Sequence, residues 1–269
     1  MIVEFIEYLT TSCPPYARKT GYLKEAIAIR ARYGRLREAW RPHLEQTQAL
    51  IEEASRACDR HRKAVVLGSG LLLDIPLGAL AASFERVLLV DLVHLRRARR
   101  LAARHRNVEL VTEDITGLAP EFDFRVSAGW RGDPVPEPDL FLDDPSVDLV
   151  VSANVMAQLP IFPAAALQRR IGLDGDELDR FCQGIVEAHL AYLHKFEAVV
   201  CLITEIEREA FDKQGNSLQR HEALFGVELP DGAAYWDWDL APLGEISRQH
   251  ALRNRVAGFC DISAHPPAV

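Results

Sequence analysis

The residues best suited to chemistry fall in two short runs, VVLGSGLLLDIP (65–76) and RVLLVD (86–91). An apolar run ends in Gly68-Ser69-Gly70, a helix-like segment follows, and a second apolar run stops on Asp91. That is the layout of a nucleotide-binding βαβ unit. Glycine at the first turn lets the backbone bend sharply and a ligand approach closely. A carboxylate closing the second strand can accept hydrogen bonds from both hydroxyls of an adenosine ribose. The spacing from Gly68 to Asp91 is close to the roughly 20 residues expected of such a pair. Each residue also has a structural account: the glycines can simply make a tight strand-to-helix turn, and Asp91 can cap a helix.

The elements that must position these residues follow from the apolar pattern. Strand-like runs stand at 64–67, 87–90, 108–112, 147–152 and 198–204, with helix-like segments between most of them. Such alternation predicts a mostly parallel sheet with helices on both faces. Residues 20–60 read as two helices. Ile29, Tyr33, Leu36, Trp40 and Leu44 form one apolar stripe at helical period, and Pro42 is expected to interrupt that helix or open the next. A further helix is marked by Asp174 and Asp176 as caps, with Leu178, Phe181, Ile185, His189 and Tyr192 on one face. The segment 129–146 is rich in Pro, Gly and Asp and reads as a long loop, either part of a site or a surface excursion. YWDWDL (235–240) and RVAGFCDI (255–262) are strand-like with no long helix between them, so they can pair antiparallel. The end, HPPAV, is expected to fray.

Composition bounds the possibilities. A chain of 269 residues, 48% hydrophobic and 26% charged, can bury a real core as a globular α/β protein. The net charge of −8 argues against generic nucleic-acid binding. Basic residues nevertheless concentrate at 18–43 and 94–106, as solvated helix faces or as a surface for an anionic partner. Glu4 and Glu7 stand where a signal peptide would carry Lys or Arg, and no window approaches a membrane span. Five scattered cysteines without a C-x-x-C pair suggest reduced thiols, no metal site and a cytoplasmic setting.

Over roughly residues 60–262 the chain resembles the class I S-adenosylmethionine-dependent methyltransferases. The resemblance implies an α/β, Rossmann-like doubly wound sheet of about seven strands, mostly parallel, ending in an antiparallel hairpin. N-terminal helices precede it, giving a helical cap over 1–62 and the main domain over 63–269. LGSGLLLD takes the place of the glycine-rich first motif, so Gly68, Ser69 and Gly70 would pass close to the methionine part of the cofactor. Asp91, with Leu92 beside it, corresponds to the acid that binds the ribose hydroxyls. NVELVTEDITGLAP (107–120) matches the third-strand motif, with Asp114 at the adenine amino group and Ile115 against the ring. VDLVVSANVMAQLP (147–160) looks like the fourth-strand motif lining the reaction pocket, with Asn154 and Gln158 as its polar members.

The implied activity is methyl transfer from S-adenosylmethionine to a small-molecule acceptor. A base is needed only if the acceptor must lose a proton, and no catalytic residue is assigned. Glu205, after the fifth strand, is a candidate for the pocket, its alternative being part of a solvated charge run, EIEREAFD. The helices at 20–60 are expected to cover the acceptor pocket. Tyr22, Tyr33 and Trp40 would be its apolar wall, and Arg30, Arg37 and Arg41 would suit an anionic acceptor. Two departures stand out: Val66 replaces the acid found two residues before the first glycine, and Leu72 fills the third glycine position. Asp74 is a candidate substitute for that acid, Leu72 is expected to tighten the loop with bulk, and Asp114 can instead begin a turn. His94, His189, His194 and His221 read as surface or half-buried. Two alternatives remain: a non-catalytic binding protein of the same fold, and a nicotinamide-dependent dehydrogenase. The dehydrogenase would need glycine at Leu73 and a Tyr-x-x-x-Lys motif, whereas Lys195 follows Tyr192 one residue too early.

Overall fold

The computed structural model describes residues 2–119 and 121–265; the expected fraying of the C-terminal end falls almost wholly outside them. Three helices open the chain, α1 (Ile2–Thr10), α2 (Pro15–Thr20) and α3 (Tyr22–Ala57). Five parallel strands follow, β1 (Lys63–Leu67), β2 (Arg86–Val90), β3 (Val108–Val111), β4 (Val147–Ala153) and β5 (Val199–Phe211). Between them lie α4 (Leu77–Ser83), α5 (Arg96–Ala102), α6 (Phe122–Ser127), α7 (Ile161–Ile171) and α8 (Gly175–Leu193). Then come β6 (Ser217–Glu222), β7 (Ala234–Ala241) and β8 (Ala251–Phe259), all in one eight-stranded sheet. Its order is β3-β2-β1-β4-β5-β8-β7, with β6 paired to β5 off that path. β8 runs antiparallel to both β5 and β7, which is the C-terminal hairpin the sequence predicts.

Period-2 alternation of the strands explains the two layers of core. Val65 and Leu67 point to one face and join the buried side chains of α6, α7 and α8. Ala64 and Val66 point to the other and meet α3, α4 and α5. Burial on both faces is why these strands read as continuous apolar runs. Leu50, Ile51 and Ala54 of α3 belong to the second layer, so the latter half of this helix packs directly on the sheet.

The structure has one strand more than the seven expected. β5 does not stop near residue 204 but continues to Phe211, past the end of β4 at Ala153. EIEREAFD is therefore largely strand. On the side vacated by β4, β6 pairs with Glu207–Phe211. Every residue of β6 is exposed, so it carries no apolar signal. Backbone pairing holds it, with Arg220 reaching Glu207 at 3.3 Å and Glu209 at 3.2 Å.

The region 20–60 forms two helical segments within α3, as expected, but the kink between them is at Leu36 (φ −108°, ψ 19°) and not at Pro42, through which the chain stays helical. Pro42 lacks the amide hydrogen that Glu38 carbonyl would accept, and the tertiary contacts of the stripe outweigh that loss. Trp40 is buried, while Ile29, Tyr33, Leu36 and Leu44 pack beside it on the same core layer. In α8, Asp174 occupies the N-cap position without a side-chain cap bond, and Phe181, Ile185, His189 and Tyr192 face the core. The 129–146 loop lies over α6 and α8. Trp130 meets Phe122 and Phe181 edge-on, and Tyr192 Oη donates to Leu140 O at 2.7 Å. It is a surface excursion and lines no part of the cavity described below.

The turn after β1 supplies a test of packing. Gly68 has φ +69°, and a Cβ there would stand 2.6 Å from Val155 Cβ. Gly70 has φ +50°, but a Cβ there would meet only Gly68 O, at 3.7 Å. Gly70→Ala is expected to lose about 1–2 kcal/mol, the strain of a left-handed residue. Gly68→Ala adds a clash and should lose about 2–4 kcal/mol. Calorimetric melting should therefore rank Gly68→Ala below Gly70→Ala by several degrees. Equal losses would mean that Val155 yields.

Candidate functional site

In an open parallel sheet, ligands bind beyond the carboxyl ends of the strands, where the strand order reverses. Here the reversal lies between β1 and β4, and a cavity of about 210 Å³ opens above it. Its floor is the Gly68-Ser69-Gly70 turn, flanked by the ends of β2 (Asp91, Leu92), β3 (Asp114, Ile115) and β4 (Asn154). Gln158 lines it too. Nine of the ten site residues named from sequence thus meet in one space.

Glu205 is the exception. It is 3% exposed and does not line the cavity but stands behind Gln158, whose Nε2 donates to Glu205 Oε1 at 3.4 Å and to Asn154 O at 2.6 Å. Its position on the continuing β5 turns the side chain inward, and burial raises its carboxyl pKa.

Asp91 holds the floor in shape. Gly70 N–H donates to its Oδ2 at 2.8 Å and Val93 N–H to its Oδ1 at 2.9 Å. Burial raises the pKa of this carboxyl, and the two amides oppose that shift. Asp114 behaves as the turn-former: Thr116 N–H, Thr116 O–H and Ala119 N–H all donate to it. Glu113, its exposed neighbour, also lines the cavity and was not foreseen. Asn154 sits at φ +54° and donates from Nδ2 to Asp74 Oδ2 at 2.7 Å. Asp74 faces the cavity, and burial raises its carboxyl pKa. Leu72, at φ +56°, buries its side chain in the core layer under α3 and α4 instead of the cavity. The bulk at the third glycine position therefore does not narrow the site. The left-handed backbone aims it away.

α3 forms the outer wall. Tyr22, Glu25, Ala26, Ile29, Trp40, His43 and Leu44 all face the cavity, whereas Tyr33 does not. The three arginines expected there lie elsewhere. Arg30 pairs with Glu7 at 2.7 Å, Arg41 with Glu38 at 3.2 Å, and Arg37 covers the Tyr33 ring. Because the apolar stripe of α3 faces the sheet, these arginines are left pointing away.

Packed against α3, Trp238 of β7 continues the wall. His43 stacks on Trp238 at 4.2 Å between ring centres, and Trp40 meets it edge-on at 5.3 Å. Trp236 Nε1 donates to His43 Nδ1 at 3.0 Å. Sequence reading missed His43 and Trp238. The first follows Trp40 on the same helical face, and the second alternates with Trp236, but nothing local shows that they meet. His94 and His189, read as exposed or half-buried, are in fact about 1% exposed and lie outside the cavity. His189 Nε2 contacts Ser152 Oγ at 2.9 Å.

No family model matches the chain, and no curated protein does. Among solved structures, N-methyltransferase NodS from Bradyrhizobium japonicum WM9 is 12% identical over 79% of this chain and 85% of its own, at a TM-score of 0.34. DhpI in complex with S-adenosylhomocysteine is 16% identical over 86% and 93%, at 0.35. The 1,6-didemethyltoxoflavin-N1-methyltransferase of Burkholderia thailandensis is 13% identical over 88% and 87%, at 0.34. Likenesses this weak carry no argument, and the fold rests on the strand order itself.

Burial pulls the pKa of His43, and likewise that of His189, down to about 3, so both imidazoles are neutral in the folded chain. Unfolded, each titrates near pH 6.5. Unfolding therefore takes up protons, and stability falls as pH is lowered from about 6.5 towards 3. His43→Asn, which keeps an acceptor for Trp236, should flatten that slope by about one proton, or about 1.4 kcal/mol per pH unit. Urea unfolding at pH 7, 6 and 5 measures it. An unchanged slope would mean that His43 is charged when folded.

Proposed function

We propose that this chain is an S-adenosylmethionine-dependent methyltransferase acting on a small-molecule acceptor. The observation that carries the reading is the convergence in one cavity, at the reversal of strand order, of the glycine turn and the ends of β2, β3 and β4. Those are the places the resemblance assigns to methionine, ribose, adenine and the reaction pocket.

The cavity suits such a cofactor. Gly70 leaves open space beside the turn, and the Ser69 hydroxyl is buried without a partner. Asp91 spends one interaction of each carboxylate oxygen on an amide, which leaves lone pairs for the ribose hydroxyls. Leu92 and Ile115 offer apolar surface for the adenine. With the Asp114 carboxylate tied into its own turn, Glu113 is the freer acid for the adenine amino group. When bound, the cofactor supplies a methyl group activated by its sulfonium.

What the chain's own residues contribute is placement. Asn154, locked to Asp74, and Gln158, locked to the Asn154 carbonyl, fix the polar edge of the pocket. α3 and Trp238 exclude water. Orientation of this kind supplies on the order of 7–11 kcal/mol in favourable intramolecular cases. The carboxylate-lined cavity disfavours a polyphosphate backbone, whose binding needs Lys and Arg. The dehydrogenase alternative loses its two candidate groups. Tyr192 Oη is committed to Leu140 O, and Lys195 pairs with Glu137 at 2.8 Å.

S-adenosylhomocysteine at 100 times its Kd is expected to stabilise the protein by about 2.7 kcal/mol, a Tm rise of roughly 5–10 °C, with no rise for NAD. The reverse ranking would overturn the reading. Asp91→Asn should weaken S-adenosylhomocysteine at least tenfold in calorimetry on folded protein, since hydrogen bonds to a charged acceptor are worth roughly 1.5–3 kcal/mol each. An unchanged affinity would confine Asp91 to holding the turn.

A further inference from the structure

The charges around the cavity are of one sign. Glu25, Asp74, Asp91, Glu113 and Asp114 line it, and among the described residues no Lys or Arg does. Asp91 and Asp114 are engaged by backbone amides. Asp74, Glu25 and Glu113 have no ion-pair partner among the described residues, although the α3 sequence is rich in arginine. Asp74 has only Asn154 as a side-chain partner. A low-dielectric cleft lined by one sign of charge concentrates ligands of the other.

A second observation comes from the far wall. Trp238, 8% exposed, lines the cavity beside His43 and Trp40, and its indole N–H is buried with no hydrogen-bond partner. A buried donor left unpaired costs free energy, and a ligand acceptor atom would recover it. His43 is neutral and offers no competing positive charge.

We propose that the acceptor subsite, between α3 and β7, takes a small organic amine that is cationic in water and carries a hydrogen-bond-accepting atom. Asp74 meets the positive charge, and Trp238 Nε1–H meets the acceptor atom. This assignment rests on the methyltransferase reading and replaces the anionic acceptor that the arginine-rich α3 sequence suggested.

Three probes of one shape separate charge from fit: choline, its uncharged isostere 3,3-dimethylbutan-1-ol, and the anion 3,3-dimethylbutyrate. They are titrated by calorimetry into protein saturated with S-adenosylhomocysteine, so that the cofactor half is filled. Choline is expected to bind at least tenfold more tightly than the alcohol, and the anion not at all. Asp74→Asn should bring choline to within threefold of the alcohol. Trp238→Phe, which keeps a ring and removes the donor, should weaken choline and the alcohol alike. Should Asp74→Asn fail to fold, Glu25→Gln on α3 is expected to lower the choline preference in its place. Equal binding of all three probes, preference for the anion, or no choline binding to the saturated protein would overturn the inference and leave the cofactor reading standing. Failure of S-adenosylhomocysteine itself to bind would overturn both.

Discussion

The turn after β1 and the turn after β4 are pressed together at Gly68 and Val155. A Cβ at residue 68 would stand 2.6 Å from the Val155 side chain, so the two halves of the sheet meet here only because residue 68 has none. Much of the site follows from that contact. Gly68 and Gly70 take left-handed backbone, and Leu72 and Asn154 do so without being glycine. Such conformations cost of order 1–3 kcal/mol each where a side chain is present. Leu72 offsets its share by burial in the core, and Asn154 by donating to Asp74. The strain and the polar groups are therefore concentrated at the one place where the strand order reverses.

From that point the cavity is built upward by unequal strand lengths. β4 stops at Ala153, and β5 continues through Phe211 with β8 beside it and β7 beyond. At about 3.3 Å per residue, the extension of β5 projects roughly 25 Å past its neighbour. α3 lies against this projection, with Trp40 Nε1 donating to Leu240 O at 3.1 Å. α3 thus serves twice. Its residues from Leu50 onward cover the sheet, and those from Tyr22 to Leu44, with Trp40 and His43 among them, wall the ligand space. The same apolar face does both, which is why the arginines of α3 are directed to Glu7, Tyr33 and Glu38 and not to the pocket.

Local signals were enough for much of the molecule. The apolar runs of β1, β2 and β4 are buried on both faces, so period and composition reveal them. The Gly68-Ser69-Gly70 turn and Asp91 are legible because a short, strained strand-to-helix turn accepts few residue types. Asn154 and Gln158 could be named because they directly follow a marked strand. β6 and the end of β5 were not legible: their side chains are polar and exposed, and their order comes from backbone pairing that no residue type announces.

Tertiary structure alone decided which side chains face one another. His43 and Trp236 lie 193 positions apart, and no periodicity in either segment predicts their hydrogen bond. The sign of charge in the cavity was likewise a matter of packing. The sequence around α3 is strongly basic, yet amphipathic packing turns its cations outward and leaves Glu25 inside with Asp74 and Glu113. Residue types and spacing determined strands β1 to β4, the glycine turn and the acid at the end of β2, because each of these is set by neighbours in the chain. The far wall, the fate of Glu205 and the charge of the pocket waited on the fold, because each is set by residues that only the sheet brings together.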